Sequence, residues 1–196
     1  MSTNAESLLA RHDSRMSLQP CLQPPPERPA CDSTRFRGQW PYAEAHYRKA
    51  LEIFIEFNDR LRQGDSHRLL GVVAHKQRQW SQAEAHYQQA LEIALELDDR
   101  REQANLCHLL GAIAHELRQW PQAEEYALYA LALFAECREE SGIYATLHTM
   151  ACLWLQTQDA SLLSTVAQLT GGTAEDAAEA FKNMLEWGGT TVASGL

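Results

Sequence analysis

The chain has 196 residues, of which 45% are apolar, so it is long and hydrophobic enough to build a folded core. Its formal net charge is −9 at pH 7, and such an acidic surface repels phosphate backbones, which argues against nucleic-acid binding. No stretch approaches the roughly 20 consecutive apolar residues of a membrane-spanning helix, so we expect no membrane insertion.

The N-terminal segment is rich in proline. Four prolines fall within residues 24–29 and exclude a regular helix there, because proline removes a backbone donor and clashes with the preceding turn. Residues 5–18 carry only a loose apolar stripe. We therefore predict that residues 1–38 form a disordered or weakly helical, proline-rich segment.

Three similar segments follow, beginning at Trp40, Trp80 and Trp120. The first two match at 12 of 20 positions, and the third keeps the pattern more loosely. A second type of segment begins at Leu69 and Leu109, and its two copies match at 8 of 12 positions. The spacing between copies is 40 residues in each case. An internal repeat of this length predicts an array of similar units.

Each unit has the pattern of two helices joined by a short turn. In the second copy, residues recur at three- and four-residue spacing and form one apolar stripe: Ala83, Tyr87, Ala90, Leu91 and Ala94. Asp98 and Asp99 are natural caps for a further helix near residues 101–117. The polar pairs at 78–79 and 118–119 join the two helices of a unit.

Glycine in the middle of a predicted helix indicates how the two helices pack. Gly71 and Gly111 each cost about 1 kcal/mol relative to alanine, which is tolerable if the missing side chain lets the partner helix approach closely. Ala83 and Ala90 offer small surfaces on that partner helix. The tryptophan that opens each segment is predicted to be a buried structural anchor.

The pair Leu70-Gly71, followed by Ala83, Tyr87 and Ala90, resembles the signature of the tetratricopeptide repeat family. The resemblance covers residues 39–157 and implies an all-α, helix–turn–helix repeat array, an α-solenoid of about three repeats. The 40-residue period resembles the long-helix variant found in repeat tails of bacterial signalling NTPases. We predict that the array spans residues 39–170.

The chain after residue 157 departs from the repeat. We predict a short helix near residues 160–169 and then a C-terminal capping helix within residues 171–190. The capping box Thr173-Ala-Glu-Asp176 would open this last helix, and Gly188-Gly189 would end it near residue 187. Residues 191–196 are predicted to be a flexible tail.

The resemblance implies that the chain binds a peptide or protein, since the first helices of successive repeats line a concave groove in this family. The predicted groove residues are Arg68, Val72, His75, Lys76, Asn105, His108, Ala112, His115, Glu116 and His148, with Ala145, Cys152 and Gln156 beside them in the last repeat. One alternative is a sensor or regulatory repeat fragment of a larger NTPase signalling system. A second alternative is a histidine-dependent metal-binding protein or enzyme.

Repeat duplication explains the groove histidines without a metal, so we predict no metal, no cofactor and no catalytic residue. Adjacent packed helices lie about 8–10 Å apart, and equivalent histidines on them would struggle to share one ion. His46 and His86 fall on second helices and are predicted to face solvent. The five cysteines are odd in number and include no C-x-x-C pair, which predicts reduced thiols and a cytoplasmic protein.

The helix predicted at residues 41–57 lacks its usual partner, because the prolines upstream forbid a helix there. Its sequence is nevertheless apolar, and exposure of the whole face would leave a patch of several hundred Å² in water. Residues 5–18 could fold back over it, but they are short and polar. We therefore predict a homodimer through helix 41–57.

Overall fold

The computed structural model describes residues 39–170 and 172–190, without the side chains of residues 169, 170 and 187–190. The predicted segments 1–38 and 191–196 lie outside the described residues. The described part is all-α, with eight helices: α1 Trp40–Glu56, α2 Arg60–Lys76, α3 Trp80–Glu96, α4 Arg100–Glu116, α5 Trp120–Cys137, α6 Glu140–Thr157, α7 Ala160–Thr170 and α8 Ala174–Thr190. None of these helices is long and apolar enough to cross a membrane.

The turns between helices recur every 20 residues, half the sequence period. Each contains one residue with φ between 53° and 60°, in the left-handed region: Asn58, Arg78, Asp98, Arg118, Arg138 and Gln158. At the first turn, the Asp59 N–H donates to the Phe54 carbonyl (2.9 Å) and the Asn58 N–H to the Ile55 carbonyl (3.0 Å). The next four turns repeat this pair of bonds. Each is a Schellman motif, which satisfies the last carbonyls of the helix.

An aspartate is the N-cap of two of the first helices of the repeats, α2 and α4. The Asp59 side chain accepts a hydrogen bond from the Arg62 N–H at 3.1 Å, and that of Asp99 from the Glu102 N–H at 3.0 Å. The predicted cap at Asp99 is therefore confirmed, while Asp98 is the left-handed turn residue before it.

Successive helices pack as antiparallel neighbours. The closest pairs are α2 with α3 and α4 with α5, which are the helix–turn–helix units of the sequence repeat. The helices α1, α3 and α5 pack in turn on the following first helices α2, α4 and α6. The first helices α4 and α6 also touch directly. The first helices α2 and α4 are linked by an ion pair between Arg68 and Glu102. The predicted helical repeat array is confirmed.

The close approach predicted at Gly71 is confirmed. A Cβ atom there would lie 2.4 Å from the Tyr87 ring, so the ring of α3 occupies the place of a side chain on α2. At Gly111 the nearest atom would be the Tyr126 Cβ at 3.4 Å, which is ordinary contact. Close approach therefore does not require glycine at this second position. In the last repeat, Gly142 accepts the ring of Phe134 in the same manner, at 2.4 Å.

The core forms two clusters. The N-terminal cluster joins α2, α3 and α4: Ala74, Ala83, Tyr87, Ala90, Ala94, Leu106, Leu110 and Ile113. The C-terminal cluster runs from α4 to α8 and includes Cys107, Phe134, Met150, Trp154, Leu162 and Phe181. Because α4 contributes side chains to both, it connects the two halves of the array.

The predicted capping box opens α8. The Thr173 N–H donates to Asp176 Oδ2 at 2.8 Å, and the Asp176 N–H donates to Thr173 Oγ1 at 3.1 Å. The predicted end near residue 187 is wrong, because the helical backbone continues through Gly188-Gly189 to Thr190. Helix α8 packs on α6, where the rings of Phe181 and Trp154 are 6.2 Å apart.

Candidate binding face

The predicted groove residues fall in a regular register on the three first helices. On each helix, four residues at positions i, i+3, i+7 and i+11 lie on one face, because the α-helix has 3.6 residues per turn. We call this surface the first-helix face; its residues are Asp65, Arg68, Val72 and Lys76 on α2, Asn105, His108, Ala112 and Glu116 on α4, and Ala145, His148, Cys152 and Gln156 on α6. Lys76, Glu116 and Gln156 are exposed, whereas Arg68, His108 and His148 are half-buried.

Glu102 joins the first two helices of this face. Its Oε1 lies 2.9 Å from Arg68 Nε on α2, and its Oε2 accepts a hydrogen bond from Asn105 Nδ2 at 3.3 Å. The Arg68–Glu102 contact is an ion pair between buried atoms that are not aligned as a hydrogen bond. Sequence analysis missed Glu102. Its position three residues before Asn105, on the same helical face, was the available indication.

His108 joins the second and third helices of the face. Its Nδ1 lies 3.4 Å from Thr146 Oγ1 on α6. Burial lowers the pKa of His108, and the neighbouring His148 lowers it further, so His108 is neutral at pH 7. His148 Nδ1 in turn lies 3.9 Å from Cys152 Sγ. Burial raises the pKa of Cys152, which keeps it a thiol rather than a nucleophilic thiolate.

The other two predicted groove histidines contact tryptophan at the turn end of each repeat. The His75 and Trp80 rings meet edge-on with centroids 5.4 Å apart, and the His115 and Trp120 rings repeat this contact at 5.5 Å. Burial and the nearby Lys76 lower the pKa of His75. These two histidines therefore pack against the tryptophan of the following helix, and they are not part of the first-helix face.

A family model described as tetratricopeptide repeat matches residues 32–96 and 66–136, which together cover more than half of the chain. The chain belongs to the tetratricopeptide repeat family. Tetratricopeptide repeats generally mediate protein–protein interaction. None of the curated proteins matches the chain. The resemblance to repeat tails of signalling NTPases stays a prediction.

Two further sequence predictions need correction in this tetratricopeptide array. Trp40, Trp80 and Trp120 are half-buried rather than fully buried, although Trp80 and Trp120 do pack against the core clusters. His86 does not face solvent freely: it is half-buried against His67, with ring centroids 5.6 Å apart. Within the described residues, no three side chains of the His, Cys, Asp or Glu type are grouped to hold a metal ion.

Proposed function

We propose that the chain is a protein-interaction module that binds a peptide or protein partner on the first-helix face. The observation that carries this proposal is the contact of α4 with α6 together with the ion pair that links α2 to α4, which brings equivalent positions of the first helices into rows. The ion pair of Arg68 with Glu102 and the contact of His108 with Thr146 hold the rows in register. A face built on rigid helices loses little conformational entropy when a partner binds.

The chemistry of the rows suggests how a partner would lie. The central row is small and largely apolar: Val72, Ala112 and Cys152. Polar rows flank it on both sides, with Arg68, His108 and His148 on one side and Lys76, Glu116 and Gln156 on the other. A bound segment would place apolar side chains on the central row and polar side chains on the flanking rows.

A peptide-display selection on the purified full chain tests this proposal. Peptides that bind the wild-type chain should lose binding to Ala112→Arg, which puts a long charged side chain in the central row, and should bind Arg68→Ala more weakly. The control is Gln88→Arg, at an exposed position of α3. Circular dichroism must show unchanged helicity. Selected peptides that bind both Ala112→Arg and Gln88→Arg normally would contradict the proposed site.

Nothing in the described residues favours the alternative of a regulatory fragment of an NTPase system, and we do not propose it. The same holds for histidine-dependent catalysis. The described cysteines Cys107, Cys137 and Cys152 are free thiols, which supports the proposal of a cytoplasmic location.

We further propose that α1 is covered by the same helix of a second copy. No residue of α1 is fully buried, although the helix is apolar. Ile55 is 58% exposed and Phe57, just after the helix, is 77% exposed. The N-terminal segment 5–18 is an unsuitable cover, since Arg11, His12, Asp13 and Arg15 would have to leave water. A two-fold dimer matches one apolar face with an identical one.

Light scattering on the full chain tests the dimer. Ile55→Lys should shift the chain to monomer, because it places a charge in the proposed contact. Leu155→Lys, at an exposed leucine of α6, should leave the dimer intact. A full chain that is monomeric at all concentrations would contradict the dimer. If a shortened chain starting at Gly38 then aggregated, the fold-back cover would be supported.

A further inference from the structure

His67 of α2 and His86 of α3 face each other away from the first-helix face. Their Nδ1 atoms are 3.3 Å apart, and the ring planes are tilted by 35°. This distance fits a hydrogen bond between the two Nδ1 atoms, and the tautomers of the rings decide which of them donates. Both side chains are half-buried, so the pair is held by its surroundings and still reachable from solvent.

The separation of the two nitrogen atoms equals that of two ligands on one metal ion. Zinc–imidazole bonds are about 2.0–2.1 Å long, and two such bonds at the tetrahedral angle place their nitrogen atoms roughly 3.4 Å apart. The observed separation of 3.3 Å is close to this value, so a rotation of the two rings that turns both Nδ1 lone pairs towards a common point would complete the geometry. His67 and His86 extend towards each other from the facing sides of α2 and α3, so their nitrogen atoms meet although the helix axes are separated.

Charged groups lie near both rings of the pair. Burial is the main cause that lowers the pKa of both rings, and each histidine also feels a nearby arginine, Arg60 for His67 and Arg48 for His86. The groups that raise the pKa of His86 are Gln89 and Glu44.

The positive charge near the pair is largely compensated. Arg60 is paired with Glu96 at 2.6 Å, and Arg48 is paired with Glu44 at 2.6 Å. The Glu44 carboxylate on α1 is the acidic group that acts on the pair. These ion pairs reduce the repulsion that an approaching cation would meet.

We propose that His67 and His86 form an open, two-histidine site for a divalent transition-metal ion of the zinc type, ligated through both Nδ1 atoms. Imidazole nitrogen suits zinc, copper and nickel. Since no third ligand is in place among the described residues, water completes the coordination and the ion exchanges readily. The ring that now carries its proton on Nδ1 moves it to Nε2, so binding releases no net proton.

The test is a Zn²⁺ titration of the full-length chain, followed by the ¹⁵N resonances of the histidine rings. Zn²⁺ should shift the Nδ1 resonances of His67 and His86 first and raise the melting temperature. His67→Gln and His86→Gln should each weaken this binding more than about tenfold, since each removes one of two protein ligands. His46→Gln, at the exposed repeat equivalent of His86, should leave it unchanged.

A melting curve of each variant in a chelator confirms that it folds. The proposal is overturned if Zn²⁺ causes no change at His67 and His86. It is equally overturned if the ion shifts only His108, His148 or the cysteines, or if both glutamine variants bind at wild-type strength. Metal binding at this pair would contradict the prediction from the sequence that the chain holds no metal. The argument for that prediction concerns the groove histidines, and this pair lies outside the first-helix face.

Discussion

Gly71 and Tyr87 are packed so closely that the ring takes the space of a glycine side chain. We predict that Gly71→Ala destabilises the chain by up to about 2 kcal/mol, since overpacking costs about 1–3 kcal/mol and the better helix propensity of alanine returns about 1 kcal/mol. The new Cβ would otherwise lie 2.4 Å from the ring. Urea denaturation of both proteins, followed by circular dichroism, measures the difference.

Gly111 provides a matched control one repeat later. A Cβ there meets its nearest neighbour at 3.4 Å, so Gly111→Ala gains helix propensity without a clash. We expect it to raise the free energy of unfolding by up to about 1 kcal/mol. If the two alanine variants changed stability in the same direction, the proposed role of the Tyr87 ring would be wrong.

Individual residues were predictable where the repeat spacing placed them on one helix. The Leu-Gly pair at 70–71 and the capping box at 173–176 follow from local sequence alone. The contacts of Glu102 with Arg68 and of His67 with His86 were missed. These contacts depend on the axial offset between two packed helices, and sequence spacing within one helix does not determine that offset.

At the scale of the element, the turns that recur every 20 residues place non-glycine residues in the left-handed region. A side chain there costs roughly 1–2 kcal/mol. We predict that Arg118→Gly, at φ 58°, stabilises the chain by about 0.5–1 kcal/mol, because the relief of strain exceeds the greater flexibility of glycine in the unfolded state. Thermal unfolding measures it.

Two controls separate turn geometry from side-chain loss. Arg118→Ala removes the same side chain without relieving the strain, so it should not stabilise. Gln88→Gly, in the exposed middle of α3, should destabilise by about 1 kcal/mol. A stabilising Arg118→Ala would show that the arginine side chain, rather than its backbone, is unfavourable at this position.

Most helix bounds could be predicted to within one or two residues, because the repeat supplies several copies of each boundary. The left-handed turn residues could not, since arginine and glutamine do not favour that conformation, and the asparagine and aspartate that tolerate it occur at only two of the six positions, Asn58 and Asp98. The end of α8 was misplaced for a related reason. Glycine usually stops a helix, but Gly188-Gly189 continues this one to Thr190.

On the scale of the whole molecule, α4 is the element common to both core clusters. Leu106, Leu110 and Ile113 belong to the N-terminal cluster, while Ala104 and Cys107 belong to the C-terminal cluster. In a repeat array each unit contacts only its neighbours, so stability is a sum of local terms and interfaces. A change in α4 should therefore affect both halves, and a change in the last helix only one.

Native-state hydrogen exchange can distinguish these two outcomes. Phe181 is fully buried in the C-terminal cluster, and Phe181→Ala should cost about 3–5 kcal/mol there. We expect amides of α6 and α8 to lose protection while those of α2 and α3 keep it. Leu110→Ala, also in a fully buried position, should lower protection in α2 and α3 as well as in α4 and α5. Equal loss along all described helices in the Phe181 variant would show a single cooperative unit, and the division of the core into two clusters would then have no energetic meaning.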